Sequence, residues 1–154
     1  MTRVDSSLGT LLRTLIDALD GDVERAYAQA GLDFRPRFTP VVRLLAAEGA
    51  LRIKDLASCM GLSHSAVSQT VGQLVAQGWV RLEPGADGRE RVARLTPRAL
   101  AALPELQRCW AATARAADAL DAELGLDLEE VVRRAVAALQ RQSFLARIAE
   151  ADAS

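Results

Sequence analysis

One short polar stretch, Pro84-Gly85-Ala86-Asp87-Gly88, constrains this chain most, because it interrupts a sequence whose apolar residues otherwise recur at helical steps. On either side of it, Trp79-Val80-Arg81-Leu82 and Arg91-Val92-Ala93-Arg94-Leu95 read as strands. Proline, glycine and aspartate between two such runs supply turn chemistry, so the segment predicts a β-hairpin. The flanks read differently. Leu8, Leu11, Leu12, Leu15, Ile16, Leu19, Val23 and Tyr27 recur at three- and four-residue steps, which predicts a long amphipathic first helix with Ser6 and Ser7 available as caps and Gly31 as its stop. Pro36 and Pro40 sit at or near the start of a compact second helix through Val41 to Ala47, ended at Gly49, and Leu51-Arg52-Ile53 is a short extended piece. After the hairpin, Thr96 caps a helix that carries Pro97 at its first position and runs toward Glu123, with Pro104 a place for it to bend and Gly125 its close. Asp127 with Glu130 three residues later reads as a capping box. Val131, Val132, Ala135, Val136, Leu139, Leu145 and Ile148 then stripe a last helix.

Between the second helix and the hairpin lies Leu56-Ala57-Ser58-Cys59-Met60-Gly61-Leu62-Ser63-His64-Ser65-Ala66-Val67. Lys54 to Met60 reads as a two-turn helix stopped by Gly61. Ser63 is an N-cap for a second helix from about His64 to Gln77, with Val67, Val71, Leu74 and Val75 on its inner side and Gly78 as terminator. The small Ala57 allows the two helices to cross closely, and Val67 anchors the second against Leu56 and Met60. This is the pattern of a helix-turn-helix, and a hairpin directly after it adds a wing.

Charge agrees with that placement. The 154 residues carry a net charge of −1, but from Arg35 to Arg98 there are 10 Lys and Arg against 5 Asp and Glu, so the middle is basic and both ends are acidic. A positive module between acidic flanks suits one face meeting a polyanion while the rest does another job, such as self-association. Other classes are poorly supplied. Aromatic residues make up 4% of the chain, too few for a base-stacking platform. Cys59 and Cys109 lie far apart and His64 is the only histidine, so no metal site or cofactor is expected. No nucleophile elbow or phosphate loop points to an enzyme. The N-terminus lacks a signal-peptide core, and the uncharged run from Leu56 to Val80 is broken by Ser, Gln, His and Gly, so a cytoplasmic protein with no membrane span is expected. The 18 arginines against one lysine, with abundant alanine, look like GC-rich bacterial coding.

Asp87-Gly88-Arg89-Glu90-Arg91-Val92-Ala93-Arg94-Leu95-Thr96 fits, without a gap, the DxRxxxxxLT wing signature of the MarR-type winged-helix transcriptional regulators, and Gln77-Gly78-Trp79-Val80 before it is also similar to that family. The resemblance covers Val41 to Pro97 and extends more loosely over the helical flanks. It implies a mainly α fold, a winged helix-turn-helix whose small β-hairpin is the wing, flanked by N- and C-terminal helices that form a dimerisation layer. The chain then divides into an N-terminal dimerisation helix over 1–34, a winged helix-turn-helix DNA-binding domain over 35–98, and C-terminal dimerisation helices over 99–154. The implied function is that of a homodimeric transcriptional regulator, a repressor, that binds a palindromic operator in double-stranded DNA and has room for a small-molecule effector between its layers.

The candidate DNA-binding residues are Ser63, His64, Ser65, Ser68, Gln69 and Gln73 on the second helix of the motif, with Arg89 and Arg91 on the wing. With Val67, Val71, Leu74 and Val75 inward, Ser65, Ser68, Gln69, Gly72 and Gln73 face outward. Gln69 is the leading base reader, because its amide donates and accepts at once, as the N6/N7 edge of adenine requires; Ser65 and Ser68 can bond a base or a phosphate. The helix departs from the family's habit in carrying no Lys or Arg. Affinity must therefore come from Arg89 and Arg91, with Arg35, Arg37, Arg52 and Lys54 nearby. By resemblance Arg89 is the minor-groove contact and Asp87 helps to orient it, while the plainer reading has the two pair on an exposed loop. His64 reads as a phosphate contact, a pH sensor or merely a polar first-turn residue, and the glutamines also read as ordinary solvated positions. The cysteines read as buried small hydrophobes or as redox sensors. Tyr27, Phe34, Phe38, Trp79, Trp110 and Phe144 read as core or as the lining of an effector pocket. An alternative function stays open: a winged-helix module for protein–protein interaction that has lost strong DNA contact.

Overall fold

In the computed structural model, which describes residues 7–153, the first helix starts on a side-chain cap: the Ser7 hydroxyl accepts the N–H of Thr10 at 3.3 Å. Ser6, the other cap expected, lies outside the described residues. Helix α1 (Leu8–Gln29) ends just before Gly31, whose φ of 74° suits a residue without a Cβ. Pro36–Phe38 forms a single 3-10 turn leading into α2 (Thr39–Glu48), so Pro36 opens the turn and only Pro40 lies in the first turn of the helix. Strand β1 (Ala50–Arg52) precedes α3 (Ile53–Met60), and α4 (His64–Ala76) follows across a turn at Gly61. The hairpin is β2 (Val80–Pro84) and β3 (Arg91–Leu95), paired antiparallel from Val80↔Leu95 to Pro84↔Arg91. Helix α5 (Pro97–Leu124) contains Pro104, and α6 (Leu128–Arg141) and α7 (Phe144–Asp152) complete the chain. Thr96 caps α5 as expected, its Oγ1 accepting the Ala99 N–H at 3.1 Å while donating to the Gly78 carbonyl at 2.7 Å.

Three expectations need correction. The hairpin is not alone: β1 pairs with β3 in the register Ala50↔Arg94 to Arg52↔Val92, giving a three-stranded sheet in the order β1-β3-β2. A three-residue extended run carries no mark of its partner, so periodicity could not disclose this pairing. The last helix is two helices. Gln142 adopts an extended conformation, φ −143° and ψ 118°, and the Ser143 hydroxyl caps α7 by accepting the Ala146 N–H at 3.2 Å. The apolar stripe continues across the break, which is why spacing alone read through it. The capping box is also only half made. Asp127 accepts the Glu130 N–H at 2.7 Å, but the Glu130 carboxylate pairs with Arg133 instead of reaching back.

The chain divides into two compact units at Trp110/Ala111. The first holds the core: Phe38, Val41, Val42 and Leu45 from the second-helix region, Leu56 and Ala57 of α3, Val67, Val71 and Leu74 of α4, Trp79, Val80, Ala93 and Leu95 of the sheet, and Ala99, Leu106, Cys109 and Trp110 of α5. Phe34 stands edge-on to Tyr27, Phe38 and Trp79, with ring centroids 5.1, 5.7 and 5.1 Å away, a geometry worth about 0.5–1.5 kcal/mol per pair beyond area burial. The polar tips of these rings are satisfied. Trp79 Nε1 donates to the Asp33 carbonyl at 3.0 Å, and Trp110 Nε1 donates at 3.0 Å to the Tyr27 hydroxyl, which also meets Thr39 Oγ1. Five of the six aromatics singled out by sequence are therefore core, while Phe144 is 61% exposed. In the same unit α1 buries only Tyr27 and leaves Leu8, Leu11, Leu12, Ile16 and Leu19 exposed. In the second unit α6 and α7 bury nothing within the single chain, and Val131, Val132, Val136, Leu139, Leu145 and Ile148 are exposed. No helix among the described residues is long and apolar enough to cross a membrane.

Candidate nucleic-acid interface

The turn between α3 and α4 is built by Gly61, which closes α3 in the left-handed conformation, φ 62° and ψ 29°. The N–H of Leu62 then reaches back to the Ala57 carbonyl at 3.1 Å, and Ser63 starts α4 with its hydroxyl accepting the Ala66 N–H at 3.1 Å. Leu56, Ala57 and Val67 are buried at this crossing. The buried stripe of α4 is Val67, Val71 and Leu74; Val75, expected inward, is 38% exposed. Val75 is four residues from Val71 but directly after Leu74, so it falls at the edge of the inward arc.

The outer face of α4 is open. Ser63, His64, Ser65 and Gln69 are exposed, and Ser68 and Gln73 are half-buried. Ser63 Oγ is already engaged as the cap, and Ser68 Oγ lies 3.4 Å from His64 Nδ1. The Gln69 amide makes no hydrogen bond among the described residues, so both its donor and its acceptor face solvent.

The wing is closed by backbone bonds and one carboxylate. Gly85 N–H donates to the Glu90 carbonyl at 2.7 Å and Gly88 N–H to the Gly85 carbonyl at 3.0 Å, with Gly88 at φ 70°. Gly85 also sits tightly, since a Cβ there would stand 3.1 Å from Glu90 Cβ and 3.2 Å from its carbonyl oxygen. Asp87 Oδ1 accepts the backbone N–H of Glu90 and of Arg89, each at 3.1 Å, and these bonds hold its carboxyl below the usual aspartate range. Asp87 thus does not pair with the Arg89 side chain. Arg89 and Arg91 are exposed, and neither guanidinium has an ion pair among the described residues.

The surrounding cations are differently placed from the sequence-based expectation. Lys54 and Arg52 both pair with Glu90, Arg52 additionally with Asp55 through Nε–Oδ2 at 2.6 Å, and Arg35 lies 4.0 Å from Glu24. Arg81 and Arg94 share Glu83. Arg37 lies over the Phe38 ring. Sequence reasoning missed Glu90, whose separation from Arg52 and Lys54 hides a meeting created by the β1–β3 pairing. Cys59, expected to be buried, is exposed, whereas Cys109 is buried. Helix α4 packs against β2 of the hairpin, and α3 packs against both α4 and β3.

Residues 38–90, the span from the 3-10 turn to the wing, match the family model described as MarR family. Over that span the winged helix is similar to the MarR family. Solved structures with the same fold align over nearly the whole chain. The Mycobacterium tuberculosis transcriptional regulator MOSR, solved in complex with DNA, is 21% identical with a TM-score of 0.66 over 94% of this chain and 97% of that one. The PcaV transcriptional regulator from Streptomyces coelicolor, solved with its natural ligand, is 21% identical with a TM-score of 0.65 over 93% and 99%. The transcriptional repressor CouR, bound to a 23-mer DNA duplex, is 19% identical with a TM-score of 0.65 over 91% and 96%. At these identities the likeness is one of fold. No curated protein matches the chain in sequence. The matched span contains the turn at Gly61, all of α4, Asp87 and Arg89, and stops short of Arg91.

Proposed function

We propose that this chain is a homodimeric regulator of transcription that binds double-stranded DNA, with α4 in the major groove and the Arg89 guanidinium in the minor groove beside it. The observation that carries this reading is the pairing of two unoccupied polar groups on a winged helix similar to the MarR family: a Gln69 amide with no intramolecular partner and an Arg89 guanidinium with no counter-ion among the described residues. A duplex supplies base edges for the one and phosphates for the other. Arg91 adds a backbone contact, and Ser65, Ser68, His64 and Gln73 line the same face of α4. The DNA complexes of MOSR and CouR support the partner class. Repression and control by a small effector belong to the same reading, supported by CouR as a repressor and by PcaV with its natural ligand. The site of action is the cytoplasm, where the bacterial chromosome is.

Dimerisation rests on the exposed apolar stripes, one on α1 in the first unit and one on α6 and α7 in the second, each too large to leave in water on a stable monomer. A two-fold dimer would read half-sites about one helical turn apart. Selection of genomic fragments by the full chain, followed by titration of the recovered duplex at fixed salt, tests the proposal. A palindromic site bound well above non-specific background supports it, and retention of no duplex at low salt overturns it. The second reading, a protein–protein module, draws on the absence of any Lys or Arg from α4; weak, sequence-blind and salt-insensitive DNA binding would favour it.

A further inference from the structure

Glu90 is tied at each of its polar groups. Its carbonyl accepts from Gly85, its N–H donates to Asp87, and its carboxylate meets Lys54 Nζ and, at 3.3 Å, Arg52 Nη1. Lys54 sits in the first turn of α3 and Arg52 is the residue just before that helix, so the carboxylate joins the wing loop to the helix-turn-helix. Arg89 and Arg91, the neighbours of Glu90 in the chain, are exposed. Gly85 packs closely on Glu90: a Cβ there would press on the Glu90 Cβ and carbonyl oxygen.

We propose that Glu90 is the positioning residue of the wing: by clasping Lys54 and Arg52 at the start of α3, it sets the direction in which Arg89 leaves the loop toward DNA. The assignment rests on the DNA-binding reading above. Exposed ion pairs hold weakly and are screened by salt, so their contribution here is to orientation more than to stability. A long arginine that must enter a narrow groove gains from a fixed base, because ordering it on binding otherwise costs side-chain freedom.

The test combines two measurements on the full chain. The first is fluorescence titration of a labelled mixed-sequence duplex of about 30 base pairs at about 50 mM salt, with wild type, Glu90→Gln, Arg89→Ala and the double variant; phosphate-directed affinity is strong and sequence-independent under these conditions. Glu90→Gln is expected to weaken binding several-fold in the wild-type background and by less than twofold in the Arg89→Ala background, because its effect passes through Arg89. Equal losses in both backgrounds would overturn the proposal. So would tighter binding by Glu90→Gln with a steeper salt dependence, which would mean that Glu90 only withholds two cations from DNA. The second measurement is hydrogen exchange at the wing amides of the DNA-free protein, expected to quicken in both Glu90→Gln and Lys54→Met at unchanged melting temperature; unchanged exchange would overturn the clasp. If wild type binds no duplex, the DNA reading fails, and faster exchange in the two variants would then show that the clasp itself stands.

Discussion

Asp87 holds Arg89 by its backbone and leaves its guanidinium alone: Oδ1 accepts the Arg89 N–H at 3.1 Å while the charged end of the side chain projects unpaired from the loop. An acid and a base two residues apart on an exposed loop could instead have neutralised each other. The backbone bonds spend the acidity of Asp87 on loop shape, so the positive charge of Arg89 stays available. Arg89→Ala is therefore expected to weaken binding to all duplexes alike and to reduce the salt slope by about one unit, as loss of one phosphate or groove contact should. Titrations of cognate and mixed-sequence duplexes over a range of salt check this; a loss confined to one base pair would contradict it.

Gln69→Ala is expected to behave in the opposite way. The side chain has no intramolecular role in the structure, so its removal should leave the unfolding midpoint unchanged and cost about 1–3 kcal/mol of affinity mainly at one base pair. Comparison of single-base variants of the selected site measures both, and a uniform loss would place Gln69 among the phosphate contacts.

The wing carries a pH signature. Glu90 is held below the usual glutamate range, first by the hydrogen bond from Lys54 and then by that from Arg52, and Asp55 is lowered chiefly by Arg52. A carboxyl depressed in the folded state contributes in its charged form above the ordinary carboxylate range, about pH 4, and loses that contribution as pH falls through its lowered value. A carboxyl-carbon titration by NMR should find the Glu90 midpoint below that of free glutamate in wild type and closer to it in Lys54→Met. Equal midpoints would mean that the contact is absent in solution.

Much of this architecture was legible from residue types with one local job. Gly61, Ser63, Thr96 with Pro97, and the Pro84–Gly88 turn each fix a helix end or a chain reversal through bonds to residues three or four away, and the structure places them accordingly. The partners of β1 and Glu90 were not legible, because both depend on residues about forty positions apart brought together by sheet register. Ser143 shows a different limit. A cap inside a continuing apolar stripe is invisible to periodicity, although serine before Phe144-Leu145 carried the signal for a new helix start. Among the candidate site residues, types that face outward could be chosen from the α4 pattern; which cations stay free of counter-ions could not.

The aromatic cluster gives a stability prediction. Phe34 touches Tyr27, Phe38 and Trp79 edge-on and is 2% exposed, so Phe34→Ala should cost about 3–5 kcal/mol through lost burial and the cavity left behind. Denaturant unfolding at one fixed protein concentration reads this directly. A cost below about 1 kcal/mol would mean that the site collapses or is already loosely packed.

The exposed stripes give an assembly prediction. A charge placed on either one, Ile16→Glu in α1 or Val136→Glu in α6, should shift a two-fold dimer toward monomer with little change in helix content, because neither residue is buried within the single chain. Light scattering with far-ultraviolet circular dichroism measures both, and a wild-type chain that is monomeric at micromolar concentration would contradict the dimer.

The most direct test of the account is the salt-dependent titration of the 154-residue chain with the duplex it selects from genomic fragments. The account predicts saturable binding that exceeds binding to a scrambled duplex by at least about a thousandfold and weakens steeply as salt rises. Binding no tighter than to the scrambled duplex, or none at all at low salt, would contradict it.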